Sequence, residues 1–337
     1  MSKRIVIELT NRCNLACQHC FSGRHGGNDD LSLDLLEKVF GEAKRLGFEH
    51  LTFTGGDPTV YRYFAELLAK VAEYNYRFSF VTNGYNFTAS HKKILPYLDW
   101  LEQITFSLDG ATEESHGALR GKHSFRQVIA AMKLAKSLDI PFSNNMVVTR
   151  HNYLELRDLA ELVYSLGSKG LRFGHLMHSP LTTAKGWDLS LDERQQVEAN
   201  IWQLQADYAQ KLPIAMAPGF STEQLFPCAP LNMMEVNIDA HGNISKCCHL
   251  SSHGPIASQD DVVGNLATMP FSEGVLKLFA ANERFKRLKQ AYFEKAASQD
   301  NKSPCWYCSK HFRKVDWLKQ FPENPWFEYL NSVAETK

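Results

Sequence analysis

The chain has no net charge, no long apolar run and too few cysteines for a disulfide scaffold. Lysine plus arginine equals aspartate plus glutamate, at 37 each, so no global field draws it to DNA, RNA or an anionic membrane. Arg313 and Lys314 are too small a basic cluster for nucleic acid. No stretch of about 18 uncharged apolar residues exists to span a membrane. The first residues lead directly into a strand-like run, not a signal peptide, and the expected location is the cytoplasm. Eight cysteines in 337 residues are sparse for a secreted framework, and two-residue spacings among them favour metal ligation. The length allows a large domain plus a smaller one.

Those cysteines are clustered at 13, 17 and 20, then 228, 247 and 248, then 305 and 308. Cys13, Cys17 and Cys20 follow the strand-like run Arg4-Ile-Val-Ile-Glu-Leu9 with C-x3-C-x2-C spacing. Iron–sulfur clusters and structural zinc usually take four protein ligands. Three thiolates therefore suggest a [4Fe–4S] cluster with one iron open to a small molecule. Zinc is the alternative at the triad, but no fourth ligand lies nearby in the sequence.

Strand-like and helix-like stretches alternate over residues 4–176, with strands expected at 4–9, 50–54, 77–82, 102–108, 142–148 and 171–176. Between them, Leu35, Leu36, Val39, Phe40, Ala43 and Leu46 form the first apolar helical stripe, with Ser32 or Asp34 as cap and Gly47 as stop. Similar helical segments run over 61–75, 88–98, 123–138 and 152–166. Six such repeats imply a parallel sheet, either an open doubly wound sheet or a curved partial barrel. Both collect functional groups at the C-terminal strand ends, where the triad falls. A long helix is expected over 190–212, and prolines 213, 218, 227 and 230 mark a transition.

Other strand ends carry polar groups. Thr54-Gly55-Gly56-Asp57-Pro58 follows the second strand; its glycines admit close backbone approach and its carboxylate can accept from an amine. Asn83 and Gly84 end the third strand, and Ser107-Leu108-Asp109-Gly110 ends the fourth. Taken alone, each reads first as a turn sequence; it is the shared position at strand ends that points to a ligand. Arg120 lies on the loop before the fifth unit and suits a carboxylate partner. His175 and His178 end the sixth strand, as cavity-lining or structural groups. Trp317, Phe321, Trp326, Phe327 and Tyr329 suit packing of a C-terminal helix onto the barrel.

The order Glu8-Leu-Thr-Asn-Arg-Cys13-Asn-Leu-Ala-Cys17-Gln-His-Cys20, Thr54-Gly-Gly-Asp-Pro58 and Ser107-Leu-Asp-Gly110 resembles the radical S-adenosylmethionine (radical SAM) superfamily over roughly residues 4–180. The resemblance implies that Cys13, Cys17 and Cys20 hold a [4Fe–4S] cluster whose unique iron chelates the amino and carboxylate groups of S-adenosylmethionine. It implies that His19 packs against the adenine and that Gly55, Gly56 and Asp57 bind the methionine amine. Asp57 stands where the family has glutamate, which shortens the reach but leaves backbone carbonyls available. Asn83 joins the cofactor-binding set, Ser107 and Asp109 fall at the ribose, and Arg120 faces the methionine carboxylate. Reductive cleavage then yields a 5′-deoxyadenosyl radical that takes a hydrogen from a substrate; a flavodoxin- or ferredoxin-type protein supplies the electron.

Cys228, Cys247, Cys305 and Cys308 can close a four-thiolate site, for zinc or iron–sulfur by spacing alone. After a radical SAM domain the segment resembles the twitch domain, a shortened SPASM domain, with Gly242 and Cys247 as its Gly-x4-Cys element. That resemblance implies a second, auxiliary [4Fe–4S] cluster on these four residues. Cys248 is left as a small packed residue, an alternative to Cys247 as ligand, or a hydrogen donor to a substrate radical. The fold expected is α/β, a partial (βα)6 TIM-like barrel (1–180), a connector (181–227) and a small α+β auxiliary-cluster domain (228–337).

The resemblance implies modification of a ribosomally made peptide by oxidation, crosslinking or epimerisation. The alternative is a dehydrogenase or epimerase for an aminoglycoside, sugar or nucleoside. The barrel begins almost at the first residue, with no N-terminal peptide-recognition domain, which weighs against a peptide substrate unless a separate protein supplies the recognition. A non-catalytic zinc or iron–sulfur scaffold is the reading from a different class.

Overall fold

Runs rich in Phe, Ile, Val and Thr fold as strands with one face buried and the other largely half-buried, and amphipathic segments between them cover the sheet. The computed structural model of the chain describes residues 3–21, 27–220, 226–251, 261–295 and 303–331. Among them lie β1 (Lys3–Thr10), β2 (Phe48–Gly55), β3 (Arg77–Thr82), β4 (Leu101–Ser107), β5 (Phe142–Val148), β6 (Leu171–His175), β7 (Ile214–Met216), β8 (Glu235–Ile238), β9 (Asn243–Ser245) and β10 (Val262–Asn265). The helices are α1 (Leu33–Arg45), α2 (Phe64–Glu73), α3 (Phe87–Ser90), α4 (Glu113–Arg120), α5 (Ser124–Ser137), α6 (Leu156–Ser165), α7 (Pro180–Ala184), α8 (Leu191–Asp207), α9 (Cys248–Ser251), α10 (Phe271–Lys295), α11 (Pro304–His311) and α12 (Glu328–Asn331).

All ten strands join one sheet in the order β10-β9-β8-β1-β2-β3-β4-β5-β6-β7. β1 to β7 pair in chain order and in parallel. A doubly wound sheet reverses its winding at a switch point; this one does not, which settles the choice for the partial barrel. β8 pairs in parallel with the free edge of β1, and β9 and β10 follow antiparallel. One core therefore runs from Ile5, Phe53, Phe80, Phe106 and Phe173 to Val236, Ile244 and Phe271. Two smaller clusters surround Tyr307 with Phe285, and Trp306 with Trp326.

The sequence expectations differ from the structure in three places. The segment 88–98 is a four-residue helix followed by two 3-10 turns, because Pro96 has no N–H to continue the ladder. Arg120 is the last residue of α4, not a loop residue; a Thr112–Ser115 capping box starts that helix. A short seventh parallel strand, β7, lies within the expected connector. At α1, Ser32 is the cap, accepting from the Leu35 N–H.

Candidate functional site

The C-terminal ends of β1 to β6 bring the singled-out residues to one edge of the sheet. The triad loop leaves β1 and is pinned from below by the loop after β2. Gly56 N–H donates to the Thr10 carbonyl at 2.7 Å and Asp57 N–H to the Arg12 carbonyl at 2.9 Å. A Cβ on Gly55, whose φ is +125°, would lie 2.4 Å from the Thr10 carbonyl oxygen, and one on Gly56 2.0 Å from that of Arg12. The two glycines are thus required by backbone contact with the triad loop.

Asp57 is 1 % exposed. One carboxylate oxygen accepts from the Thr59 N–H and hydroxyl, at 3.0 and 2.6 Å; the other accepts from the Thr82 hydroxyl and the Asn83 N–H, both at 2.8 Å. Burial pushes its pKa up against these four bonds. The carboxylate ties β2 to β3, which leaves the loop's backbone carbonyls as acceptors for an amine. Asn83 then reaches the triad: its amide donates to Asn14 Oδ1 at 2.8 Å and to Cys13 Sγ at 3.6 Å.

Asp109 is a second buried hub, with no exposed surface. It accepts from Arg120 Nε at 2.5 Å and the Val147 N–H at 2.8 Å, and its carboxylate lies 3.1 Å from His19 Nε2. Burial alone would raise its pKa, but Arg120 and then His19 outweigh it and hold the group well below the usual carboxylate range. Arg120 also reaches toward Cys17 Sγ at 3.9 Å. Burial pushes the Cys17 thiol up to about 12, with Arg120 opposing; a bound metal ion inverts that logic. Ser107 lies buried at the end of β4. His116 had no sequence signal, being one polar residue in a short helix. Its Nδ1 accepts from the Asp109 N–H at 3.1 Å, and burial pushes its pKa down to about 3.

The remaining cysteines come together from three segments. Cys228, Cys247, Cys305 and Cys308 line one pocket with Met177, His249 and Phe312, almost wholly apolar in its walls. Cys305 and Cys308 sit three apart on α11, hence on one helix face. Gly242, at φ +79°, turns β8 into β9, and β9 delivers Cys247. Cys248 does not line that pocket; its free thiol is hydrogen-bonded with that of Cys247.

His175 and His249 flank Cys305, all three donor atoms lying within 4.8 Å of one another. No other set of three His, Cys, Asp or Glu among the described residues is drawn so close. Tetrahedral zinc, bonded at about 2.3 Å, would bring its thiolates to roughly 3.8 Å from one another. Neither cysteine set is that tight. His249, adjacent to Cys248 and without a signal of its own, packs edge-on against Phe21 at 5.6 Å between centroids. Phe21 follows Cys20, so the two cysteine sets flank one region. His178 is turned elsewhere: Nδ1 lies 2.7 Å from Asp188, and the ring packs between Trp306 and Trp326.

A three-cysteine loop at the first strand end of a singly wound parallel barrel, with a second thiol set beside it, defines a class of iron–sulfur barrel proteins. Residues 7–163, a little under half of the chain, match the Radical SAM superfamily, so this stretch is a radical SAM domain. Such a domain implies S-adenosylmethionine and a [4Fe–4S] cluster. The chain is 33 % identical over 198 residues to the mycofactocin maturase MftC of Mycobacterium tuberculosis, covering 58 % of this chain and 50 % of that one. It is 31 % identical over 170 residues to the PqqA peptide cyclase of Ruegeria pomeroyi, covering 50 % and 45 %. The chain thus spans about half the length of these curated relatives. Its fold is similar to that of anSMEcpe with bound AdoMet, at TM-score 0.65 and 17 % identity over 98 % of this chain and 100 % of that one. Streptococcus suis SuiB bound to the precursor peptide SuiA matches at TM-score 0.63 and 15 % identity, over 81 % and 64 %. Among the described residues no helix is long and apolar enough to cross a membrane.

Proposed function

We propose that this chain is a radical SAM enzyme that modifies a ribosomally made peptide, using two [4Fe–4S] clusters. The observation that carries the reading is the convergence of two cysteine sets on one region, bridged by Phe21 and His249. When bound, the first cluster and S-adenosylmethionine supply a 5′-deoxyadenosyl radical able to take a hydrogen from an unactivated carbon.

The chain's own residues position and shield. Cys13, Cys17 and Cys20 hold the first cluster, and the Gly55 and Gly56 backbone accepts from the methionine amine. Asn83, held by Asp57, orients the Cys13 end of the loop, while Arg120 neutralises charge at Cys17 and faces the methionine carboxylate. His19 lies against the adenine, and Ser107 and Asp109 frame the ribose end. Asp109 acts mainly by fixing His19 and Arg120, since its oxygens already have protein partners. Burial of these hubs limits water, so positioning and exclusion outweigh acid–base help.

Cys228, Cys247, Cys305 and Cys308 hold the auxiliary cluster; one sulfur cannot fully serve two centres, so Cys305 belongs with the thiols and the two histidines are its neighbours. Cys248 supports Cys247 from outside the pocket, which favours an oxidative outcome over one needing a thiol hydrogen donor. A peptide substrate is favoured by the relatives, a maturase and a peptide cyclase by name. A flavodoxin- or ferredoxin-type reductant and a separate recognition protein complete the expected partners.

The test is anaerobic reconstitution, then reduction with S-adenosylmethionine and a panel of precursor peptides and aminoglycosides. We expect about eight irons per chain and 5′-deoxyadenosine coupled to a change in mass of a peptide. Zinc in place of iron, or no cleavage under reduction, would overturn the enzyme reading; coupling only to an aminoglycoside would overturn the peptide.

A further inference from the structure

Lys289 on α10 has no exposed surface. Its ammonium donates to the Pro304 carbonyl at 3.2 Å and lies 4.0 Å from Cys308 Sγ. Two ring faces complete its surroundings, Phe226 at 6.0 Å and Tyr307 at 5.8 Å from the centroids. Among the described residues no carboxylate lies within 4.0 Å of it, although Lys314, further along the chain and almost equally buried, has Asp261 at 3.0 Å.

A fully buried ammonium with one carbonyl and two aromatic faces is expensive unless a negative charge stands beside it. Four neutral thiols supply none. Four thiolates around a [4Fe–4S] cube carry net negative charge, and one unit more when the cluster is reduced. We propose that Lys289 is the built-in counter-charge of the auxiliary cluster and raises its reduction potential by stabilising the reduced form. This rests on the auxiliary-cluster reading above. The position is specific: Cys228, Cys305 and Cys308 all lie within the electrostatic reach of this lysine, and α10 carries it into the same apolar cluster as the thiols. In that dry setting a charge is weakly screened, whereas a surface lysine would be masked by salt. An oxidising enzyme needs an acceptor for the substrate's electron, and a raised potential suits the cluster to that task.

The experiment uses the full chain carrying Cys13→Ala, Cys17→Ala and Cys20→Ala, so that only the auxiliary cluster is read. After anaerobic reconstitution, iron is counted and the midpoint potential followed by electron paramagnetic resonance during a redox titration. Lys289→Met is expected to lower the potential by at least the equivalent of a tenfold change in the reduction equilibrium, about 59 mV for a one-electron couple. Lys289→Arg is expected to recover most of it. An unmoved potential in Lys289→Met with its irons retained overturns the proposal. Should Lys289→Met lose its irons, Lys289→Arg decides: irons retained at the native potential support a requirement for charge, and irons lost in both variants indicate shape and overturn it. A parent chain with no irons removes the auxiliary-cluster reading itself, while an unmoved potential removes only the lysine's part.

Discussion

The two cysteine sets reach the same region of the molecule by opposite routes. The N-terminal set is local: three thiols within eight residues, on one loop at the end of β1, held by polar hubs. Asp57 and Asp109 are buried carboxylates with every oxygen engaged, and each links a neighbouring strand to that loop. The C-terminal set is assembled from a coil, a strand end and a helix, inside a pocket that is nearly all apolar. Lys246 lines that pocket, and the fully buried Lys289 lies beside Cys308. A site that must bind a charged small molecule is thus surrounded by oriented polar groups. The C-terminal set, proposed to hold a cluster and exchange electrons, is surrounded mainly by hydrocarbon, with Lys246 in the pocket wall and Lys289 beside Cys308.

That contrast breaks most sharply at the cysteines. Cys17→Ala should reduce S-adenosylmethionine cleavage to background. Cys305→Ala should leave 5′-deoxyadenosine formation in place while losing about four of about eight irons and the coupled product. Equal loss in both, read by chromatography and iron assay, would erase the division of labour.

Next in size is the polar hub. Arg120→Met leaves Asp109 buried with only His19 and the Val147 N–H, and should cost about 3 kcal/mol of stability in chemical denaturation. A loss under about 1 kcal/mol would mean the pair is dispensable to the fold.

A third effect emerges only as the pH is lowered. His116 is held near a pKa of about 3 by burial, below the roughly 6.5 of an exposed imidazole. Between those values the unfolded chain binds a proton that the folded chain does not, so stability falls as pH drops through that window, by up to about 1.4 kcal/mol per pH unit. His116→Gln keeps an acceptor for the Asp109 N–H and should flatten that slope. Parallel curves would show that His116 does not contribute to the acid lability.

Much of the barrel was legible because its signals are local. The strand runs 77–82 and 142–148 read from composition are the observed β3 and β5, since short β-branched and aromatic runs between helical stripes have few other ways to be buried. Helix 88–98 misread because apolar spacing ignores what Pro96 does to the ladder. The glycines of Gly55-Gly56 were read for a ligand's approach; the structure adds that they touch the Thr10 and Arg12 backbone. His116, His249 and Lys289 were illegible because their chemistry is made by burial and by neighbours distant in the chain.

The sequence by itself determined the class of protein: C-x3-C-x2-C after a strand, with Gly-Gly-Asp-Pro one unit later, is a local pattern whose spacing carries its chemistry. The tertiary structure decided the winding of the sheet, the attachment of β8 to β1 and the meeting of Cys228, Cys247, Cys305 and Cys308 in one dry pocket. The physical reason is range. Ligand spacing within a loop is set by covalent geometry, but which groups are buried, paired or left with a lone charge depends on contacts that only the folded chain makes.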